Sequence, residues 1–170
     1  MIENLKIKFN RNVFKPTGTS ELLISSIKKN LKLRGDVLDL GAGSGYIGLK
    51  LLKLFERRFN LYASDVDAKS VESIKKNAQL NNLKVNAKTG SLLKVWGKKK
   101  FNFIINDISG ISEDVAIISP WFKNVSCKSG KDGTKLTIKV IKDSKIFLKK
   151  KGILCFPVIS FANEKKIINF

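Results

Sequence analysis

The chain has 170 residues, 43% of them hydrophobic, and a formal net charge of +19, which predicts one domain over residues 1–170 with a buried core. No apolar run approaches the roughly 20 residues that a membrane helix needs, and the first residues lack a signal peptide's apolar region, so we expect a cytoplasmic protein with no membrane partner. Because the chain contains no histidine, a Ser-His or Cys-His nucleophile and a histidine-ligated metal are excluded, and the distant Cys127 and Cys155 indicate neither a cysteine-based metal site nor a disulfide framework.

Helix and strand patterns alternate along the chain, which predicts an α/β fold: a doubly wound, Rossmann-like, mostly parallel sheet with helices on both faces. Residues 1–33 are predicted to form a lead-in and a helix from about Ser20 to Asn30, and residues 34–170 the sheet core. A helix is expected over 67–82 and a clearer one over 134–149, where Thr134 would cap the start and Lys149–Lys151 would suit the C-terminal end. Strands are expected near 36–40, 61–65, 84–88, 101–106 and 152–158.

Residues 37–45, Val-Leu-Asp-Leu-Gly-Ala-Gly-Ser-Gly, are the most informative segment. A buried strand carries the carboxylate of Asp39 near its end and then breaks into a glycine loop that opens a helix. Because Gly41, Gly43 and Gly45 have no Cβ, a ligand can approach the backbone closely. The free amides at the start of the following helix favour a carboxylate or phosphate, so we expect a nucleotide-like ligand.

A dinucleotide is the first alternative, because Gly43-Ser-Gly45-Tyr-Ile-Gly48 satisfies the pattern G-x-G-x-x-G. In a dinucleotide site the first glycine follows the strand directly, which here is Gly41, and counting from Gly41 places Tyr46 where the third glycine should be. Asp39 would also repel a pyrophosphate. A dinucleotide-binding oxidoreductase is therefore the less favoured interpretation.

A second carboxylate ends the next predicted strand, Leu61–Asp65. Asp65 lies about 20 residues beyond the glycine loop, the distance at which a strand-end acid meets a ribose diol. An ordinary acid in a turn is the alternative for Asp65 taken alone. In a parallel sheet the loops after the strands meet at one edge, so we expect the segments after Leu40, Ser64, Ala87 and Ile105 to line one site.

Residues 37–45 closely resemble motif I of the class I S-adenosylmethionine (SAM) methyltransferases, and Lys76–Asn81 resembles the stretch after their motif II. The resemblance implies SAM as the cofactor, a cation that suits nearby carboxylates. Gly90–Leu92 occupies the position of motif III, where Ser91 replaces the acid that often holds the adenine amino group. The cofactor-binding residues implied are Asp39, Gly41, Ala42, Gly43, Gly45, Asp65, Val66, Ser91, Leu92 and Asn106.

The segment Asn106–Ser109 falls where amino-methyltransferases carry motif IV, Asn-Pro-Pro-Tyr or Asp-Pro-Pro-Tyr. Gly130–Gly133 and the lead-in Phe14–Leu23 resemble the release-factor glutamine methyltransferases, the HemK/PrmC group of the methyltransferase small domain type. Asn106 is the predicted catalytic residue that orients an acceptor nitrogen. Asp107 is the second catalytic candidate, as a proton acceptor or, alternatively, a turn acid. Candidate acceptor contacts are Pro16, Thr17, Ser109, Trp121 and Phe122, of which Trp121 and Phe122 would equally suit a hydrophobic plug.

The predicted function is SAM-dependent methyl transfer to a nitrogen of an RNA or DNA base or of a protein side chain. The alternative is a SAM-binding module without catalysis, because Asp107, Ile108 and Ser109 replace Pro-Pro-Tyr. The positive charge favours a nucleic acid, although a solvated lysine-rich surface would carry it equally well, and Gly130–Gly133 favours a protein acceptor. The family's C-terminal hairpin is absent up to Phe170, so a sheet edge would be exposed, to be covered by a second copy in a homodimer or by further chain.

Overall fold

The computed structural model describes residues 5–9, 15–16, 18–108, 110–120 and 129–170. Five strands form one sheet whose hydrogen-bonded pairs are all parallel. The strands are β1 Gly35–Leu40, β2 Phe59–Asp65, β3 Asn86–Thr89, β4 Phe101–Asn106 and β5 Leu148–Cys155. Their order across the sheet is β3-β2-β1-β4-β5, so the direction of winding reverses between β1 and β4. The predicted doubly wound fold is confirmed, with a sheet that is wholly rather than mostly parallel.

Helices cover both faces of the sheet. Along β1, Val37 belongs to one apolar cluster with helices α1 (Gly18–Asn30) and α2 (Tyr46–Leu54), while Leu38 and Leu40 belong to a second cluster with helix α5 (Lys135–Phe147). This alternation follows from the period of two along a strand, and it makes β1 apolar on both sides. No helix of the described residues is long and apolar enough to cross a membrane. The helices are α1 Gly18–Asn30, α2 Tyr46–Leu54, α3 Ala68–Leu80, α4 Glu113–Ile118, α5 Lys135–Phe147 and α6 Glu164–Ile168, with a 3₁₀ helix over Leu92–Trp96.

The register of the strands places the carboxyl ends side by side. Leu40 of β1 pairs with Ser64 of β2 on one side and with Asn106 of β4 on the other. Asp65 of β2 pairs with Thr89 of β3. Ligands of doubly wound sheets bind beyond this edge, at the point where the winding reverses.

The start of β5 differs from the prediction. The strand begins at Leu148 instead of 152 and ends at Cys155, so Lys149–Lys151 lie in the strand and not at the end of α5. Leu148 pairs with Phe101 and Ile153 with Phe103, so the four residues 149–152 lie opposite a single residue of β4 and form a large, irregular bulge. A bulge of this kind has no helical or strand period, which is why the pattern of the sequence did not predict it.

Thr134 precedes α5, but its side chain does not cap the helix. Instead its hydroxyl donates to Asp132 Oδ1 at 2.8 Å, and the amide of Leu136 donates to Ser129 Oγ at 2.9 Å. The prediction that Thr134 is the cap is therefore wrong, because a serine six residues before the helix folds back onto its first turn.

Candidate active site

Most backbone N–H groups of the glycine loop after β1 donate hydrogen bonds to acceptors within the protein. The N–H groups of Gly41 and Ala42 both donate to the carbonyl of Ser64, at 2.8 and 3.1 Å. The N–H of Gly43 donates to Asp65 Oδ2 at 2.9 Å. Since these donors are already used, the loop has few left for a pyrophosphate, which argues against a dinucleotide.

Asp39 lies beneath this loop with 1% of its surface exposed. Its Oδ2 accepts a hydrogen bond from the N–H of Gly48, in the first turn of α2, at 2.8 Å. One of the helix N–H groups that were expected to be free for a ligand is therefore already bonded to a carboxylate of the protein. Its Oδ1 is buried and has no hydrogen-bond partner among the described residues. Burial raises the pKa of Asp39 to about 7; the Gly48 hydrogen bond opposes this, and the charges of Asp107 and Asp65 add to it.

Asp65 stands at the end of β2 and is half-buried. Its two carboxylate oxygens accept from different backbone amides, Oδ2 from Gly43 and Oδ1 from Asp67 at 3.0 Å. These bonds fix the carboxylate between the glycine loop and the start of α3. Each carboxylate oxygen has a second lone pair, so Asp65 can still accept from a ligand's hydroxyl groups.

The end of β3 is tied to the same residue. The N–H of Gly90 donates to the carbonyl of Asp65 at 2.9 Å, which brings Ser91 and Leu92 beside it. Val66 is 64% exposed and Ser91 is exposed, whereas Leu92 is half-buried against the second apolar cluster. The exposed side chain of Val66 offers an apolar surface on which a planar ring of a ligand could pack, and the carboxylate of Asp65 offers a polar group beside it.

Asn106 and Asp107 follow β4 at the same edge. Asn106 is buried, and its Oδ1 accepts from the N–H of Ile108 at 3.2 Å. Asp107 Oδ2 accepts from the hydroxyl of Ser20, in the first turn of α1, at 2.6 Å. Burial raises the pKa of Asp107, and the Ser20 hydrogen bond opposes that rise.

The glycine loop and the segment after β4 are in direct contact. Gly41 has φ +69°, and a Cβ placed there would collide with Cγ1 of Ile108. Neither the backbone conformation nor the space therefore accepts a side chain at this position. The two parts of the predicted site, motif I and the motif IV position, are thus packed against each other.

Comparison with known proteins decides the family. A family model described as "Methyltransferase small domain" matches residues 4–107. The chain belongs to the methyltransferase small domain family. A provisionally named protein N5-glutamine methyltransferase of Methanocaldococcus jannaschii is 30% identical over 169 residues, covering 99% of this chain and 83% of that protein.

Two further matches agree with this family. A ribosomal protein L11 methyltransferase of Caldicellulosiruptor saccharolyticus is 32% identical over 70% of this chain, which spans only 39% of that protein's length. The fold of a 16S rRNA guanine N2 methyltransferase of T. thermophilus, solved with SAM and guanosine, matches 91% of this chain and 38% of that one, with a TM-score of 0.66 and 21% identity. The prediction of a class I SAM-dependent methyltransferase, with SAM as its cofactor, is confirmed.

Several predicted acceptor contacts of this methyltransferase lie outside the described residues: Thr17, Ser109, Trp121 and Phe122. Pro16 is described and half-buried. These roles stay predictions. Within the described parts of the chain, no group of three or more acids or cysteines is arranged to hold a metal ion.

The turn Gly130–Gly133 supports the segment after β4. The N–H groups of Gly133 and Glu113 both donate to the carbonyl of Gly130, at 3.1 Å each. Gly133 has φ +72°, and a Cβ there would lie 2.8 Å from the carbonyl oxygen of Gly110. The turn therefore packs against the segment that follows β4, where a glycine is required for the close approach of two backbones.

Asn77 of α3 contacts the glycine loop, a role that no sequence motif predicts. Its Nδ2 donates to the carbonyl of Ser44 at 3.0 Å and to that of Lys8 at 3.1 Å, and its Oδ1 accepts from the N–H of Lys8 at 2.9 Å. Asn81, one turn later, holds Lys6 in the same way, with bonds of 2.9 and 2.6 Å. The available signal was two asparagines four residues apart, one on the buried side of α3 and one at its C-cap.

We expect Asn77→Ala to weaken SAM binding about tenfold, because it releases the Ser44 carbonyl and with it one side of the glycine loop. Asn81→Ala is the matched control, since it removes the same clamp on the N-terminal segment without touching the loop. Both variants should lose about 1–3 kcal/mol of unfolding free energy. Calorimetric titration with SAM and urea unfolding separate the two effects, and an equal loss of SAM affinity in both variants would refute the role of Asn77.

Proposed function

We propose that this methyltransferase acts on a planar NH₂ nitrogen, either a side-chain amide of a protein or an exocyclic amino group of a nucleic-acid base. The observation that carries the proposal is the buried side-chain oxygen of Asn106 at the end of β4, where the winding of the sheet reverses. The glutamine N5 and guanine N2 in the names of the two related proteins are both nitrogens of this kind.

The charges at this edge suit a cationic cofactor. Asp39, Asp65 and Asp107 are close enough for the last two to raise the pKa of the first. Ion pairs within the described part of the chain fall on other acids, namely Glu21, Asp36, Glu56, Asp132 and Asp143. In a chain of net charge +19, carboxylates kept clear of lysine are available to the positive charges of SAM.

In this proposal each residue of the edge has a part in holding SAM, which supplies an activated methyl group. Asp65 would accept from the ribose hydroxyls, and Val66, Ser91 and Leu92 would contact the adenine. Asp39, whose Oδ1 is buried and has no hydrogen-bond partner among the described residues, would attract the positive charge of the cofactor through the loop above it. Gly41, Ala42, Gly43 and Gly45 would supply the backbone nearest to the cofactor.

Asn106 orients the acceptor. Its carbonyl oxygen has two lone pairs and gives one to the N–H of Ile108, so the other can accept from an NH₂ group. Asp107 can take the proton that the nitrogen loses, since burial keeps the pKa of its carboxyl above the ordinary value. Positioning and exclusion of water then supply most of the rate.

The proposal extends to the domain, its location and its partners. Residues 1–170 act as one cytoplasmic domain, with Pro16, Thr17, Ser109, Trp121 and Phe122 on the acceptor side. Among the described strands β5 pairs with β4 alone, so a second copy of the chain that covers β5 would form a homodimer.

Transfer of tritiated methyl groups from SAM to a cell lysate tests this function. We expect labelled macromolecules. Loss of the label after treatment with ribonuclease would identify RNA as the acceptor, and loss after treatment with protease would identify a protein. The alternative, a SAM-binding module without catalysis, is favoured by the loss of Pro-Pro-Tyr after Asn106. Tight binding of SAM without labelling of any macromolecule would contradict the proposed transfer and support that alternative.

Asp39→Asn should change the stability of the protein in a pH-dependent way. The pKa of Asp39 is about 7 in the folded chain and about 4 in an unfolded one, so native stability falls as the pH rises from about 4 to about 7. Asn does not ionise, so the stability of the variant relative to the native protein should rise by about 2–3 kcal/mol between pH 5 and pH 8. Urea unfolding at both pH values measures this difference.

The same substitution should weaken SAM binding about tenfold at pH 7.5, where native Asp39 is mostly ionised and attracts the cation. The loss should shrink toward pH 6, because native Asp39 is then protonated. A variant that gains no relative stability with pH, or that binds SAM as tightly as the native protein at pH 7.5, contradicts a buried acid that faces the cofactor.

A further inference from the structure

The two edges of the sheet carry opposite charge. In a parallel sheet all strands start at one edge, so the segments just before or at the start of β1 to β5 lie together there. We call this the basic edge and define it by residues 31–36, 55–58, 81–85, 97–100 and 148–151.

The basic edge holds about half of the chain's net charge. It contains eleven basic residues and two acids, which leaves nine net positive charges of the total of +19. Ten of the eleven side chains are exposed, and Lys99 is half-buried. The basic residues are Lys32, Arg34, Arg57, Arg58, Lys84, Lys98, Lys99, Lys100, Lys149, Lys150 and Lys151.

The opposite edge has the reverse composition. The described residues that directly follow the strands, within 41–45, 66–67, 90–91, 107–112 and 156–163, include no lysine or arginine. They include Asp67 and Asp107, and the last residues of the strands add Asp39, Asp65 and one base, Lys88. An even coating of lysine for solubility would not give the two edges of a single sheet opposite net charge.

Only a small part of the positive charge at the basic edge is neutralised within the protein. Asp36 pairs with both Lys99 and Lys149, at 3.0 and 2.9 Å, and hydrogen bonds from Lys149, Asn60 and Lys99 hold its pKa well below the usual range despite its partial burial. Glu56 pairs with Arg58. These contacts fix two lysines in position while the charge of the surface as a whole stays strongly positive.

The large bulge of β5 contains three of these lysines. Lys149–Lys151 lie in the segment opposite Asn102, and Lys151 adopts φ +63°, in the left-handed region. A non-glycine residue in that conformation marks a sharp local turn. Lys149 turns to Asp36 and Asn102, while Lys150 and Lys151 stay exposed near Lys98 and Lys100, which precede the neighbouring strand.

We propose that the basic edge is a docking surface for the phosphate backbone of a nucleic acid. Eleven cations gathered along one edge can neutralise several successive phosphates and release their counterions, the main source of sequence-independent affinity. An anionic membrane is the competing partner for such charge, but peripheral membrane binding also needs apolar side chains at the surface. The exposed large apolar residues of the described chain all lie outside the basic edge.

The docking surface itself does not depend on the proposed function. One further step does rest on it, namely that the docked nucleic acid carries the acceptor nitrogen. A six-residue strand spans about 20 Å, so docking would occur about that far from Asn106. A partner held there must be large enough to reach both edges, which points to a folded nucleic acid or its protein complex instead of a free nucleotide.

Fluorescence anisotropy with a labelled hairpin of about 20 nucleotides tests the proposal, using RNA and DNA versions of one sequence at 50 to 200 mM KCl. Two charge reversals act on the basic edge, Lys98→Glu with Lys100→Glu and Lys150→Glu with Lys151→Glu. The matched control reverses two exposed lysines in α3, Lys75→Glu with Lys76→Glu. SAM affinity of each variant is measured in parallel by calorimetry.

Each reversal at the basic edge should weaken hairpin binding at least tenfold and reduce the slope of log K against log salt by about 2, whereas the control should change binding less than threefold. Preference for the RNA or DNA hairpin identifies the nucleic acid. An equal loss in the control pair, no binding of either hairpin, or tighter binding to phosphatidylserine vesicles would overturn the proposal. Failure of every variant and of the native protein to bind SAM would refute the proposed function alone and leave the docking surface standing.

Discussion

Asp65→Ala is expected to weaken SAM binding by about 100-fold, because it removes a carboxylate that the proposal places on both ribose hydroxyls, with charge-assisted bonds of about 1.5–3 kcal/mol each. The substitution also releases the N–H of Gly43, which donates to Asp65 Oδ2 at 2.9 Å, so the glycine loop loses an anchor. Isothermal titration calorimetry with SAM measures the effect.

Asp67→Ala is the matched control for this prediction. Asp67 is also an acid and lies two residues beyond the end of β2, but its side chain caps α3 by accepting from the N–H groups of Lys69 and Ser70. Its loss should lower the unfolding free energy by about 1 kcal/mol and leave SAM affinity within about twofold of native. An Asp65→Ala variant that binds SAM as tightly as Asp67→Ala does would show that Asp65 is an ordinary turn acid.

Asn106→Ala should lower kcat by at least about 1000-fold and change SAM affinity less than about threefold. The side-chain oxygen would be lost from the point where it orients the acceptor nitrogen, and misplacement of the reacting atoms costs rate much more than cofactor binding. Initial rates with tritiated SAM and the labelled acceptor give kcat, and calorimetry gives the affinity.

Asn106→Asp is the conservative variant for the same position. It keeps an oxygen to accept from Ile108, so the turn after β4 should remain, and the related motif IV carries either Asn or Asp. We expect it to retain measurable turnover. Equal losses of turnover and SAM affinity in Asn106→Ala would refute the division between cofactor and acceptor roles.

The sequence predicted those parts of the site that depend on neighbours along the chain. The apolar run before Asp39, the glycines after it and the acid at the end of the next strand identified β1, β2 and the loop between β1 and α2. These features follow from local rules of strand period and glycine conformation. The parallel sheet then required that Asp65 and Asn106 meet at one edge.

Other parts depend on contacts between distant segments, which no local pattern reveals. Asn77 reaches the carbonyl of Ser44, 33 residues earlier, and Ser20 reaches Asp107, 87 residues later. The lysines also seemed evenly spread in the sequence, because the strand starts that gather them are separated by helices. The common direction of the five strands brings these segments together and makes one edge basic and the other acidic.

In the proposed function, Asp39 and Asp65 hold a positively charged methyl donor at the carboxyl ends of β1 and β2. Calorimetric titration of the native protein with SAM and, separately, with NAD and NADP tests this arrangement. We expect saturable binding of SAM that Asp65→Ala abolishes at the same concentrations, and no heat from either dinucleotide. Binding of a dinucleotide, or SAM binding that is indifferent to Asp65, would contradict it.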